Sequence, residues 1–133
     1  MKRTRKNVPK GFDSWLEFDL FNNLRKCEYH PDRIDYIQKK TYEPDFKYTR
    51  PDGHTVYIEA KGRFRDRAEA RKYIDIREGL EDASLVFVFQ NPQVSMPAAQ
   101  RRADGTRLTM AEWATKNNFT YYCKDVVPKE WLK

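Results

Sequence analysis

The segment TYEPDFKYTRPDGHTVYIEAKG, residues 41–62, carries three side chains of the types that act on phosphate esters: Asp45, Glu59 and Lys61. Pro51-Asp52-Gly53 divides it into two alternating runs rich in aromatic and β-branched residues. Proline suits position i+1 of a type I turn and glycine the left-handed position after it, so the segment reads as a hairpin. A loop over 51–53 pairs Arg50 with His54, and counting back along both strands sets Asp45 opposite Glu59. Strand side chains alternate, so Glu59 and Lys61 share one face; Val56, Ile58 and Ala60 share the other, which is apolar enough to be the core side. Asp45, Glu59 and Lys61 therefore converge.

Two carboxylates a few ångströms apart repel each other unless a cation sits between them, and oxygen ligands of this kind suit Mg²⁺ or Mn²⁺. A lysine beside them can position a water or neutralise charge that develops on a phosphate under attack. The plainer alternative is a solvated strand face with a cross-strand ion pair from Lys61.

Glu17 adds to the site reading. The run SWLEFDLFNNLRK has helical spacing, and Ser14 with Glu17 three residues on matches a capping box, which predicts a helix over 14–26. On it Leu16, Leu20, Phe21, Leu24 and Cys27 fall on one arc, with Glu17 between Leu24 and Phe21. A carboxylate on a buried arc is costly unless paired or metal-bound, although a cap could instead turn it back to Ser14.

Beyond Lys61 the chain reads GRFRDRAEARK, where Arg63, Arg65, Arg67, Arg71 and Lys72 lie beside the three residues and could grip phosphates. Part of this set could equally be tied up in pairs with Asp66 and Glu69. Neither His30 nor His54 has metal-ligand spacing, and Cys27 and Cys123 are two half-buried thiols without a CxxC pattern.

The elements that must hold these residues come from the remaining pattern. Ile34–Gln38 is a candidate short strand, residues 66–78 a second helix stopped by Gly79, and LVFVF at 85–89 a fully buried strand. Thr109 and Glu112 open a third helix reaching about Asn118, and FTYYCK and a PKEWLK turn close the chain. This order predicts an α/β fold with a mixed sheet flanked by helices: a basic arm over residues 1–12 and one domain over 13–133. The 133 residues have a formal net charge of +6, and Lys2, Arg3, Arg5, Lys6 and Lys10 crowd the first ten positions. That balance points to a polyanionic partner and the arm reads as mobile, while no apolar run is long enough to span a membrane.

In order along the chain, WLE with Glu17, YEPDF with Asp45, IEAKG with Glu59, Lys61 and Gly62, YIDIREG, and VVPKEWLK resemble the endonuclease I family of short-tailed bacteriophages. These enzymes resolve four-way (Holliday) DNA junctions and belong to the wider PD-(D/E)xK nuclease superfamily. The resemblance covers nearly the whole chain. It implies a restriction-endonuclease-like fold and paired nicking of branched DNA by metal-dependent hydrolysis that leaves 5′-phosphate ends. It also implies one or two Mg²⁺ per site, with Mn²⁺ able to substitute, on Asp45, Glu59, the Ala60 carbonyl and Glu17, with Lys61 near the attacking water. Family members are similar in forming homodimers intertwined by strand exchange, each site taking its first-helix glutamate from one chain and its hairpin residues from the other. The cytoplasm of the infected bacterial host is the implied location.

Two other readings compete: a sequence-specific or nicking nuclease of the same superfamily, and a branched-DNA-binding protein whose hairpin carboxylates are surface charge. If the N-terminal arm grips DNA, deleting residues 1–10 weakens junction binding and flattens its dependence on salt, as measured by titration at several ionic strengths. Unchanged affinity would remove the arm from the interface.

Overall fold

The structure, a computed structural model, describes residues 1–132. Its regular elements are α1 (Trp15–Asn23), β1 (Phe46–Thr49), β2 (Thr55–Lys61), α2 (Arg67–Gly79), β3 (Ala83–Phe89), α3 (Met110–Lys116) and β4 (Thr120–Cys123). The four strands form one mixed sheet in the order β1-β2-β3-β4, with β1 antiparallel to β2 and both other pairs parallel. The α/β, restriction-endonuclease-like architecture expected from the sequence is therefore present.

Residues fall into two compact units, Met1–Lys39 and a second from Lys40 onward. In the first, Phe12 meets Phe18, Phe21 and Tyr29 at ring separations of 5.3, 5.2 and 5.1 Å, a small aromatic cluster of its own. The N-terminal residues join it: Arg5–Asn7 form a 3-10 turn capped by Thr4, and Trp15 donates its indole N–H to the Thr4 carbonyl at 2.9 Å. Arg3 stacks over Trp15 at 4.3 Å and pairs with Asp19 at 2.7 Å. The expected mobile arm is thus folded onto α1, because an indole offers it both a hydrogen bond and a cation-π platform.

In the second unit the hairpin has the expected register. Phe46 faces Ile58, the Arg50 N–H donates to the His54 carbonyl at 2.8 Å, and Asp45 consequently lies opposite Glu59. Gly53, at φ +88°, takes the left-handed turn position that a side chain would disfavour. Helix α2 starts where Asp66 accepts the Glu69 N–H at 2.8 Å, and Thr109 with Glu112 makes the full capping box at the start of α3.

Core placement differs from the sequence expectation. Val56 and Ile58 do pack, but into a small cluster with Val86, Tyr48, Val88, Tyr122 and Trp131, and Ala60 is exposed. The larger core lies on the Glu59 face. There Leu85, Phe87 and Phe89 of β3 stand beside Tyr57, Glu59 and Lys61 of β2 and pack against Phe64, Tyr73, Met110, Trp113 and Phe119. A strand that starts a parallel crossover is covered on both faces, so the more apolar face of β2 does not identify the major core.

Three further expectations are corrected. Ile34–Gln38 forms no strand, and Ile34, Tyr36 and Ile37 are exposed, Ile37 to 98%. A strand needs a hydrogen-bonded neighbour, and among the described residues this segment has none. Helix α1 stops at Asn23 instead of Lys26, where two asparagines of low helix propensity meet and Leu24 leaves helical geometry. Its apolar arc is also exposed, with Leu16, Leu20, Phe21 and Leu24 all substantially open, and Cys27 is exposed as well.

The aromatic layer around fully buried Phe87 supports β2 from behind: its ring meets those of Phe64, Tyr73, Phe89, Trp113 and Phe119. Truncating Phe87 to alanine is expected to destabilise the fold by about 3–5 kcal/mol in denaturant unfolding. A loss below about 1 kcal/mol would show that this layer is not the core.

Candidate active site

Strand β2 ends in the sequence IEAKG, and its pleat points Glu59 and Lys61 toward the aromatic core just where that core opens at the sheet's end. Glu59 is only 6% exposed. A carboxylate there must be partnered, and three groups approach it. Tyr42, in the irregular segment before β1, donates its hydroxyl to Glu59 Oε1. Asp45, just before β1, lies beside it and accepts the Ala60 N–H on Oδ2 at 2.9 Å. Lys61 Nζ stands 3.8 Å from Glu59 Oε2.

Lys61 makes its close contact elsewhere. Its ammonium is 2.7 Å from Glu69 Oε1 on α2 and lies over the Tyr73 and Phe64 rings at 5.1 and 6.0 Å. The flank of α2 is thus part of the site: Lys72 also lies over the Tyr42 and Tyr73 rings, at 6.0 and 5.0 Å.

These placements set the electrostatics. Burial pushes the Glu59 carboxyl above its ordinary value and neighbouring Asp45 adds to this, against the opposing Tyr42 hydrogen bond and Lys61 charge. Burial and the adjacent Glu59 carboxylate together raise the Tyr42 phenol, so it stays a donor. Burial works against the Lys61 charge, but Glu69 and Tyr73 more than offset it and raise the ammonium. Desolvation opposes the Glu69 charge too, and Lys61 overcomes it, holding that carboxyl below the usual range. Asp45, Glu59 and Glu69 thus set three carboxylates around one ammonium, which pairs closely with Glu69 alone. The oxygens of Asp45, Glu59 and the Ala60 carbonyl are hard donors of the kind that hold Mg²⁺ or Mn²⁺.

Glu17 belongs to the first unit and has partners of its own. Tyr29 donates to Glu17 Oε1 at 2.9 Å, the Ser14 hydroxyl to Oε2 at 3.0 Å, and His30 Nε2 is 3.5 Å from Oε1. The Tyr29 hydrogen bond is the chief cause holding its carboxyl below the ordinary value. Only half of the predicted capping box forms: Ser14 accepts the Glu17 N–H at 3.1 Å, while the Glu17 carboxylate turns to side chains. Asp13, Glu17 and His30 bring ligand-type atoms within 4.8 Å of one another.

The basic residues are where a nucleic-acid partner could reach them. Arg63, Arg65, Arg67, Arg71 and Lys72 are all exposed. Arg65 is drawn to Asp66 at 3.3 Å and Arg67 donates to the Ala98 carbonyl at 3.0 Å, whereas Arg63 and Arg71 have no ion-pair partner among the described residues. Of the N-terminal set, Arg3 is engaged with Asp19, while Lys2, Arg5 and Lys6 carry no ion pair among the described residues. An open depression of about 770 Å³, lined by both charged and apolar side chains, runs from Lys61 past Arg63, Arg65 and Glu69 to Ser95 and Pro97.

Tyr42 and Glu69 escaped the sequence reading. Tyr42 stands three positions before Asp45 in a segment with no regular structure, where periodicity says nothing. Glu69 is three residues after Asp66, so it resembles a helix-start residue or a partner for arginine. His54, left unassigned, bonds Ser84 Oγ at 2.7 Å at the far end of β2. No helix is long and apolar enough to cross a membrane among the described residues.

No curated protein matches this chain. The family model described as Phage endonuclease I matches residues 2–133, essentially the whole sequence, so the chain belongs to the phage endonuclease I family, whose name makes it an endonuclease with DNA as its substrate.

Proposed function

We propose that this protein is a structure-selective endonuclease that cuts four-way junctions and other branched DNA by metal-dependent hydrolysis, releasing 5′-phosphate ends. The observation that carries the reading is the buried Glu59 carboxylate beside Asp45, with its nearest ammonium drawn off to Glu69. A buried carboxylate with a second, exposed carboxylate beside it and no ammonium in hydrogen-bond contact is costly in a folded chain, and a divalent cation removes that cost.

Asp45, Glu59 and the Ala60 carbonyl would hold one or two Mg²⁺, or Mn²⁺ in its place. When bound, such an ion polarises the scissile phosphate and lowers the pKa of a coordinated water. Lys61, kept protonated by Glu69, places a positive charge where the phosphate becomes more negative under attack. Tyr42 orients Glu59 by holding one of its two oxygens. Arg63, Arg65, Arg67, Arg71 and Lys72 flank the site and fit a role in gripping the phosphate backbone, with Lys2, Arg3, Arg5 and Lys6 as a second basic group. Glu17 enters the ligand set through the family resemblance, with Ser14, Tyr29 and His30 as the partners that would orient its carboxylate. A homodimer, strand-exchanged or not, suits a junction with two strands to cut. The unpaired, exposed 34–38 segment and the open apolar arc of α1 support such an association. Action on phage DNA intermediates would place the protein in the cytoplasm of the infected host.

Incubation of a labelled four-way junction, and of a linear duplex of the same sequences, with Mg²⁺ or EDTA tests the reading. The wild type is expected to nick the junction in Mg²⁺ alone and to spare the duplex. Glu59→Gln is expected to lose about 100-fold or more of the cleavage rate while retaining junction binding. Equal cutting of the duplex would favour a sequence-specific or nicking nuclease, and binding without cleavage in any metal would make this a branched-DNA-binding protein.

A further inference from the structure

We propose that Glu69 is a positioning residue of this site: it holds Lys61 away from Glu59 and thereby keeps the Asp45 and Glu59 carboxylates free for a divalent cation. The inference rests on the metal-dependent reading above and assigns a role to a residue outside the D…ExK pattern.

Lys61 leaves the last position of β2 with a long flexible stem, and two carboxylates lie within its reach. Glu59 is the nearer in sequence and the more buried, so alone it would draw the ammonium into a direct pair. Such a pair would satisfy the very charge that a metal ion needs.

Glu69 prevents it because its carboxylate is fixed in advance. The Asp66 side chain accepts the Glu69 backbone N–H at 2.8 Å and anchors the first turn of α2. Glu69 Oε2 accepts the Arg65 N–H at 3.4 Å, which leaves Oε1 for Lys61 at 2.7 Å. The Glu69 side chain is only 10% exposed, so water screens this contact little. Tyr73, one turn further along α2, puts its ring 5.1 Å from the same ammonium and adds a cation-π attraction. Lys61 thus has a better-built seat against α2 than against β2.

The effect is visible at Glu59. Tyr42 occupies Oε1, and Oε2 has its nearest cation at 3.8 Å, beyond hydrogen-bond distance. One oxygen of a buried carboxylate is therefore held in reserve.

Two variants, Glu69→Gln and Glu69→Gln with Lys61→Met, separate this role from support of the helix. In metal-free crystals of Glu69→Gln, Lys61 Nζ is expected to close on Glu59 to within about 3.2 Å. Calorimetric titration with Mn²⁺ is expected to show affinity weakened by about 10-fold or more in the single variant. In the double variant the intruding ammonium is gone, so Mn²⁺ affinity returns to near the wild-type value although junction cleavage does not. If Lys61 stays in place in the single variant, or Mn²⁺ affinity remains weak in the double variant alongside a lowered melting temperature, Glu69 merely supports α2 and the proposal is overturned. A wild type that binds Mn²⁺ together with an unaffected Glu69→Gln overturns the proposal alone. A wild type that takes up no Mn²⁺ overturns the metal reading and the proposal with it.

Discussion

Glu59 stands in line with Phe87 across the parallel β2–β3 pair, and that register governs the layout of the whole site. The pleat that sends Phe87 and Phe89 into the main aromatic core must send Glu59 and Lys61 to the same side. Burial of the core thus carries an acid and a base into a poorly hydrated edge, where an unpartnered charge costs several kcal/mol. A slip of one residue would put Ala60 in their place and the ionisable pair on the opposite face. The charged edge is in this sense a by-product of strand pairing, given its character by the groups gathered round it.

Those groups come from three directions. The turn to α2 brings Glu69 to Lys61, the irregular segment ahead of β1 brings Tyr42 to Glu59, and the hairpin brings Asp45 alongside. Each partner settles one charge or lone pair and leaves a particular remainder, a protonated lysine and a pair of carboxylates. This charge imbalance beside a folded core is the feature on which the proposed metal-dependent reading rests.

The first unit is held together differently. Its aromatic cluster is small, most of its apolar helix face is open, and its Ile34–Gln38 stretch has no strand to join among the described residues. Glu17 is satisfied there by short-range partners, Ser14, Tyr29 and His30, drawn from the same unit. The unit's exposed apolar surface is of the kind that marks an interaction site, and a helix that buries little alone is suited to one.

By itself the sequence determined the local geometry: the Pro51-Asp52-Gly53 turn, the Asp45 to Glu59 register, the cap at Thr109, and the order of helices and strands. These depend on neighbours within a few positions, on fixed dihedral preferences and on a period of two or 3.6. It also carried the family motifs, which specify type and spacing without contact. Tertiary structure alone decided which face of β2 meets the larger core, because both faces of a crossover strand are covered and hydropathy cannot rank them. It decided that Lys61 turns to Glu69 on α2, a choice made by how firmly each of two acids is anchored, which no spacing rule compares. And it left Ile34–Gln38 unpaired, since a β-strand is defined by its partner, and a sequence pattern can propose a strand without supplying the hydrogen bonds that complete it.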